Sequence, residues 1–240
     1  MRIKTCVILA GGFGTRMAEY TKTIPKPMVE IGGLPILCHI INYYQSYGVN
    51  NVIIALGYKS NYVKQYFKKN FKNYKHLKIS LIDTGLQTLT GGRIKKLDKY
   101  LPNDFFLTYG DGVSNVNLKK LEKFYFRTKK LLAMTIVHPP ARFGEVKLKN
   151  NLIKDFEEKP QLQKGWINGG FFAMNKEILN FIKNDLEMLE REPMKRIIKL
   201  KQASAYKHED FWYCIDTKRD RDFLQKMWKE KNRPWVFNGK

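Results

Sequence analysis

Gly11-Gly12-Phe13-Gly14-Thr15-Arg16 follows directly on the apolar run Thr5 to Ala10. That run reads as a buried strand, and the loop beyond its carboxyl end is where open α/β sheets bind ligands. Glycines let the main chain approach a phosphate closely and turn successive N–H groups toward it, while Arg16 supplies a positive charge. The loop has Met17 where the dinucleotide fingerprint needs a third glycine, and the Gly-Lys-Ser/Thr of the Walker loop is absent. Alone, it is better explained as a tight strand-to-helix turn that uses glycine for geometry. The segment Ile24-Pro25-Lys26-Pro27-Met28-Val29 changes the balance, because a lysine between two prolines is expected on a stiff, extended backbone. Such a constraint suits a lysine that must point at a phosphate.

Two carboxylates stand in comparable places. Asp111 follows the apolar run Phe105 to Tyr109 between Gly110 and Gly112, and Asp216 follows Trp212 to Ile215. Hard oxygen ligands emerging from two strand ends suit Mg2+, which binds through one or two carboxylates plus substrate phosphates. Taken singly, Asp111 reads as an ordinary Asp-Gly turn. Asp216 reads as a helix-start residue, since Thr217 with Asp220 forms a capping box. The four histidines, His39, His76, His138 and His208, show no ligand spacing.

The elements that must position these groups alternate along the chain. Strands are expected at Thr5 to Ala10, Val52 to Leu56, Ile79 to Ile82, Phe105 to Tyr109 and Leu132 to Val137, with helices at Pro35 to Tyr47, Asn61 to Phe71 and Leu118 to Phe126. This is the pattern of a three-layer α/β/α sandwich with a mostly parallel sheet, Rossmann-like in its alternation. After Pro140 come β-type segments at Glu145 to Leu148, Leu152 to Glu157 and Ile167 to Met174, which suggest a small β-rich lobe over about residues 139–175. Helices at Lys176 to Ile182 and Met194 to Lys201, a strand at Trp212 to Ile215 and a helix from about Thr217 to Lys229 complete one unit over residues 1–240.

The 240 residues, 43% hydrophobic, can bury a sizeable core. No apolar run reaches the ~18 residues of a membrane span, and no membrane partner is expected. Cys6, Cys38 and Cys214 are odd in number and widely spaced, which argues against a disulfide framework and for a reducing, cytoplasmic setting. The net charge of +22 would suit a polyanion. Its lysines, among them Lys68, Lys69, Lys119, Lys120, Lys129 and Lys130, are strewn over what read as solvated helix faces, with no basic tail or finger. No nucleic-acid partner is expected, although a non-catalytic or RNA-binding module is the rival from another class.

Taken in combination, Leu9-Ala10-Gly11-Gly12-Phe13-Gly14-Thr15-Arg16 with Pro25-Lys26-Pro27-Met28 resembles the signature of the sugar-phosphate nucleotidyltransferases. The likeness runs on through Asp83-Thr84-Gly85, Thr90-Gly91-Gly92-Arg93, Tyr109-Gly110-Asp111-Gly112, Arg142-Phe143-Gly144, Glu158-Lys159-Pro160, Asn168-Gly169-Gly170-Phe171-Phe172 and Ile215-Asp216-Thr217, so it covers nearly the whole chain. Within the family it is nearest to the branch that uses CTP and glucose 1-phosphate; UTP or GTP is the nearest alternative. The resemblance implies the nucleotide-diphospho-sugar transferase fold and Mg2+ on Asp111 and Asp216. It implies nucleotide binding by Leu9, Ala10, Gly11, Gly12, Gly14, Thr15, Arg16, Lys26, Thr88, Arg93, Gly110 and Asp111, with Arg16, Lys26 and Asp111 catalytic. Gly144, Glu158, Lys159, Asn168 and Gly169 would hold the sugar phosphate. A homo-oligomer is also implied, though between Phe71 and Leu81 this chain lacks the longer excursion that helps to knit the hexamer of the CTP-using branch.

Overall fold

A computed structural model describes residues 1–140, 144–157 and 165–236. The strands are β1 (Thr5–Ala10), β2 (Glu30–Ile31), β3 (Leu34–Pro35), β4 (Asn51–Leu56), β5 (Lys78–Asp83), β6 (Asp104–Tyr109), β7 (Gly112–Ser114), β8 (Leu132–Val137), β9 (Glu145–Lys149), β10 (Leu152–Glu157), β11 (Ile167–Asn175), β12 (Ala203–His208) and β13 (Trp212–Cys214). The helices are α1 (Ala18–Thr21), α2 (Ile36–Ser46), α3 (Ser60–Asn70), α4 (Thr90–Lys96), α5 (Leu118–Thr128), α6 (Glu192–Lys199) and α7 (Lys218–Lys229).

Seven strands form one sheet in the order β12-β8-β11-β6-β1-β4-β5. Strands β6, β1, β4 and β5 run parallel, β11 is antiparallel to both β6 and β8, and β12 is parallel to β8. Every residue of β1 is buried, as expected of a central strand covered on both faces. Its side chains alternate between two cores. Cys6, Ile8 and Ala10 join residues of α2, α3, α5 and α7, while Val7 and Leu9 join Ile94 of α4 and Ile197 of α6. The sandwich expected from the alternation of elements is therefore present, with one helical layer on each face.

Three differences from the sequence reading concern the site. Strand β11, expected in a β-rich lobe, lies inside the main sheet between β6 and β8. What stands apart there is the β9–β10 hairpin, a two-stranded sheet of its own. Strand β12 had no counterpart among the expected elements. It is an edge strand with no fully buried residue, so it lacks the apolar run that marks an interior strand. Helix α4 was also unforeseen, because Gly91 and Gly92 weaken its helical signal. Their purpose is steric. A Cβ on Gly92 would lie 2.4 Å from the Asp185 carbonyl oxygen, and one on Gly91 2.7 Å from that of Glu187, so the two glycines let α4 lie directly on the 185–189 backbone.

Candidate active site

The glycine loop leaves β1 with Gly14 at φ 66°, a left-handed conformation that favours glycine. Gly11 is required for another reason: a Cβ there would lie 2.3 Å from the Arg93 guanidinium carbon. That guanidinium is buried, and both of its terminal nitrogens bond to the protein itself. Its Nη1 donates to the carbonyls of Leu56 and Gly85 and to Thr84 Oγ1, at 2.9, 2.8 and 2.6 Å, and its Nη2 donates to the Gly11 carbonyl at 2.9 Å. Thr88 is likewise engaged, donating to the Thr84 carbonyl at 2.6 Å and accepting from Lys96 Nζ at 3.1 Å. Both residues line the cavity, but Arg93 binds the ends of β4 and β5 to the glycine loop, and Thr88 is tied to the segment after β5 and to α4. They shape the pocket from behind.

Lys26 does not sit on extended backbone as expected. Pro25 is extended, and Lys26–Met28 forms a single 3-10 turn closed by Met28 N–H to the Pro25 carbonyl at 2.8 Å. Pro27 fits because this bond does not need its missing N–H. The turn aims the Lys26 side chain inward, where its ammonium donates to Asp111 Oδ2 at 2.6 Å and to Asp216 Oδ1 at 2.8 Å. Arg16 Nη1 reaches the other oxygen of Asp216 at 2.6 Å. Burial acts to lower the pKa of Lys26, but the two carboxylates outweigh it and the pKa is raised. Asp216 also keeps its place as the residue before a cap: Thr217 and Asp220 form a complete capping box at the start of α7. The cap and the converging carboxylate are both present.

Two carboxylates from distant chain positions thus meet at one point that is already occupied by a cation. Hard oxygen donors converging on a compact positive group fit Mg2+, and Asp111 and Asp216 are the residues that would hold it. Among the described residues no third His, Cys, Asp or Glu completes a larger cluster, so the remaining ligands would come from substrate phosphates and water. Cys214 lies beside the pair, 3.8 Å from Asp216 Oδ2. Burial, with the two aspartates, pushes its thiol up to about 12.

These groups open into a cavity of about 580 Å³ lined by residues 9–16, Lys26, residues 86–90, Arg93, residues 108–112, residues 168–171, Glu190, Trp212 and Asp216, among others. A Cβ on Gly12 would meet nothing within 4 Å, so the main chain there is open to a ligand. On the β11 side, Asn168 Oδ1 accepts from Gly170 N–H at 2.8 Å and its Nδ2 donates to the Tyr109 hydroxyl at 3.1 Å. The Gly169 carbonyl accepts from Trp212 Nε1 at 2.6 Å. Gly144 is not among the lining residues, and Glu158 and Lys159 lie outside the described residues. Sequence reasoning missed Glu190 and Trp212 on this wall. Neither carries a local signal, since both reach the cavity only through the packing of distant segments.

The nucleotidyl transferase family model matches residues 5–229, which span the glycine loop, Lys26 and both aspartates. This chain belongs to the nucleotidyl transferase family. A glucose-1-phosphate cytidylyltransferase from Salmonella typhimurium is 37% identical over 95% of this chain and 97% of its own length. The probable glucose-1-phosphate cytidylyltransferase of Bacillus subtilis is also 37% identical, over 95% of this chain and 98% of its own. Both alignments are longer than the 240 residues of this nucleotidyl transferase, so these relatives carry inserted segments that it lacks. Among solved structures, HddC from Yersinia pseudotuberculosis superposes with a TM-score of 0.75 at 26% identity, covering 94% of this chain and all of that one. A UDP-glucose pyrophosphorylase superposes at 0.74 with 20% identity, covering 95% and 99%, a likeness of fold. No described helix of this nucleotidyl transferase is long and apolar enough to cross a membrane.

Proposed function

We propose that this nucleotidyl transferase moves a cytidylyl group from CTP to glucose 1-phosphate, or to a closely related sugar 1-phosphate, giving a CDP-sugar for surface polysaccharide synthesis and releasing pyrophosphate. The carrying observation is the Lys26 ammonium held between Asp111 and Asp216 beside an open glycine loop. The identity to cytidylyltransferases over nearly the full chain supports the choice of substrates.

The reaction is an in-line displacement at the α-phosphorus by a phosphate oxygen of the sugar 1-phosphate, with pyrophosphate departing opposite. The nucleophile is already an anion, so no general base is needed. The protein must bring two mutually repelling polyanions together and offset charge as it moves to the leaving group. Arg16, with an exposed side chain, and the N–H groups of the loop bind the β and γ phosphates. Lys26 supplies its ammonium to the α-phosphate. Asn168 and Gly169 face the acceptor, and Lys159 binds the sugar phosphate. Asp111 and Asp216 would hold Mg2+, whose charge would offset that of the triphosphate. The three cysteines are free thiols, which suits a cytoplasmic enzyme supplied with CTP.

GTP is the second reading. A heptose 1-phosphate guanylyltransferase from Campylobacter jejuni is 33% identical over 89% of this chain, and HddC has been solved with GMP-PN. Pyrophosphate release measured with each triphosphate against a panel of sugar 1-phosphates decides between them. CTP with glucose 1-phosphate is expected to give the highest kcat/KM, and a preference for GTP would overturn the cytidylyl assignment.

A further inference from the structure

The cavity wall beyond Asp111 carries a third carboxylate, Glu190, that none of the phosphate chemistry above uses. Both of its oxygens are held. The Tyr109 hydroxyl donates to Oε1 at 2.5 Å and Thr90 Oγ1 donates to Oε2 at 2.6 Å. The two hydroxyls are themselves fixed, because Thr90 Oγ1 accepts from the Leu189 N–H at 2.9 Å and the Tyr109 hydroxyl accepts from Asn168 Nδ2 at 3.1 Å. A carboxylate oxygen can accept more than one hydrogen bond. The half-buried Glu190 therefore retains accepting capacity toward the cavity while its orientation is locked.

Its charge is the informative feature. The site is built to gather phosphates, and a carboxylate on its wall is suited to a hydrogen-bond donor and not to a phosphate oxygen. Sugar hydroxyls are such donors, and hydrogen bonds to an ionised acceptor are among the stronger ones. The sheet order indicates which sugar. Tyr109 ends β6, with β1 on one side and β11 on the other. The glycine loop follows β1 and residues 86–88 follow β5, two strands farther along. Asn168 comes from β11 on the opposite side, and the Trp212 indole, bonded to Gly169, adds an aromatic surface there. Through Tyr109, Glu190 is coupled to the β11 wall, and through Thr90 it is anchored to the start of α4.

We propose that Glu190 is a specificity residue that accepts a hydrogen bond from a ring hydroxyl of the hexose 1-phosphate, oriented for that task by Tyr109 and Thr90. This rests on the nucleotidyl transfer reading and names the part of the acceptor substrate that the site recognises. The test compares wild type with Glu190→Gln, an isosteric change, in steady-state kinetics and in equilibrium binding of glucose 1-phosphate. The expected result is a KM for the sugar 1-phosphate raised about 10- to 100-fold, with the KM for CTP within about twofold and a parallel loss in sugar binding. Repeating the comparison with singly deoxygenated sugar 1-phosphates should find one position at which Glu190→Gln causes no further loss, since the hydroxyl it would have held is already gone. A rise in the KM for CTP alone, an equal rise for both substrates, or a uniform penalty across the deoxygenated series would overturn the proposal. Should Glu190→Gln not fold, Glu190→Asp keeps the charge but shortens the reach, and the same KM split is expected. If wild type releases no pyrophosphate with any pair of substrates, the transfer reading fails, whereas the binding measurement still reports whether Glu190 holds the sugar.

Discussion

At the scale of single residues, the site is defined by which charges neutralise which. Lys26 is shared by Asp111 and Asp216, and Arg16 takes the remaining oxygen of Asp216. Replacing Lys26 with Ala leaves two neighbouring carboxylates partly uncompensated and removes the group assigned to the α-phosphate. Turnover should fall by about 10²- to 10³-fold while the protein still folds; near-normal turnover would remove the assignment, and circular dichroism checks the fold. Cys214 offers a second test. Its thiol is held neutral by burial and by Asp111 and Asp216, so alkylation by iodoacetamide at pH 8 should be about a hundredfold slower than for an ordinary exposed cysteine. Mass-spectrometric labelling rates measure this directly, and rapid modification would mean that the carboxylates do not surround it as described.

At the scale of elements, the glycine loop is held by what lies behind it. The Arg93 guanidinium ties the carbonyls of Gly11, Leu56 and Gly85 together, so one side chain of α4 fixes the exits of β1, β4 and β5. Removing it strands several buried acceptors, each costing about 1–3 kcal/mol. Arg93→Ala should therefore lower the thermal midpoint by several degrees or more. A normal midpoint with a raised KM for CTP would instead return Arg93 to the nucleotide-contact role that the family resemblance implies. The resemblance draws attention to this arginine through the distinctive Thr90-Gly91-Gly92-Arg93 stretch, and the residue lines the cavity. What it contacts was not legible, since the stretch reads as a loop and its glycines serve the packing of α4 on residues 185–189.

At the scale of the whole molecule, His39 joins parts that are far apart in sequence. It lies in α2, donates from Nε2 to the Ile31 carbonyl at 2.9 Å, and meets Trp228 of α7 edge-on at 5.1 Å. Burial lowers its pKa, as it does that of His208. The folded state therefore resists protonation where the unfolded chain, with a histidine pKa of about 6.5, accepts it. The stability that follows is fully present above about pH 6.5 and is lost as pH falls from there through the depressed folded-state values. Denaturant unfolding from pH 7.5 to 5 should show this decline, and His39→Gln should flatten it; parallel curves for the two proteins would contradict the account. The net charge of +22 gathers at no described basic tail, and the site needs only a few of these cations.

The layer architecture and the inventory of chemical groups were legible along the chain. Apolar runs followed by glycine or Asp-Gly mark strands whose carboxyl ends open into loops, and the lysine between prolines marks a constrained cation. These are local signals, carried by periodicity and backbone preference over a few residues. Which groups meet follows from long-range packing. Lys26 is 85 positions from Asp111 and 190 from Asp216, and strand order brings all three together. Strand order likewise sets β11 beside β6, so that Asn168 meets Tyr109, while packing of the segment before α6 against α4 brings Glu190 to both Tyr109 and Thr90. Pairing between distant strands depends on which complementary surfaces bury one another, and that is a property of the assembled sheet, not of any stretch of the chain.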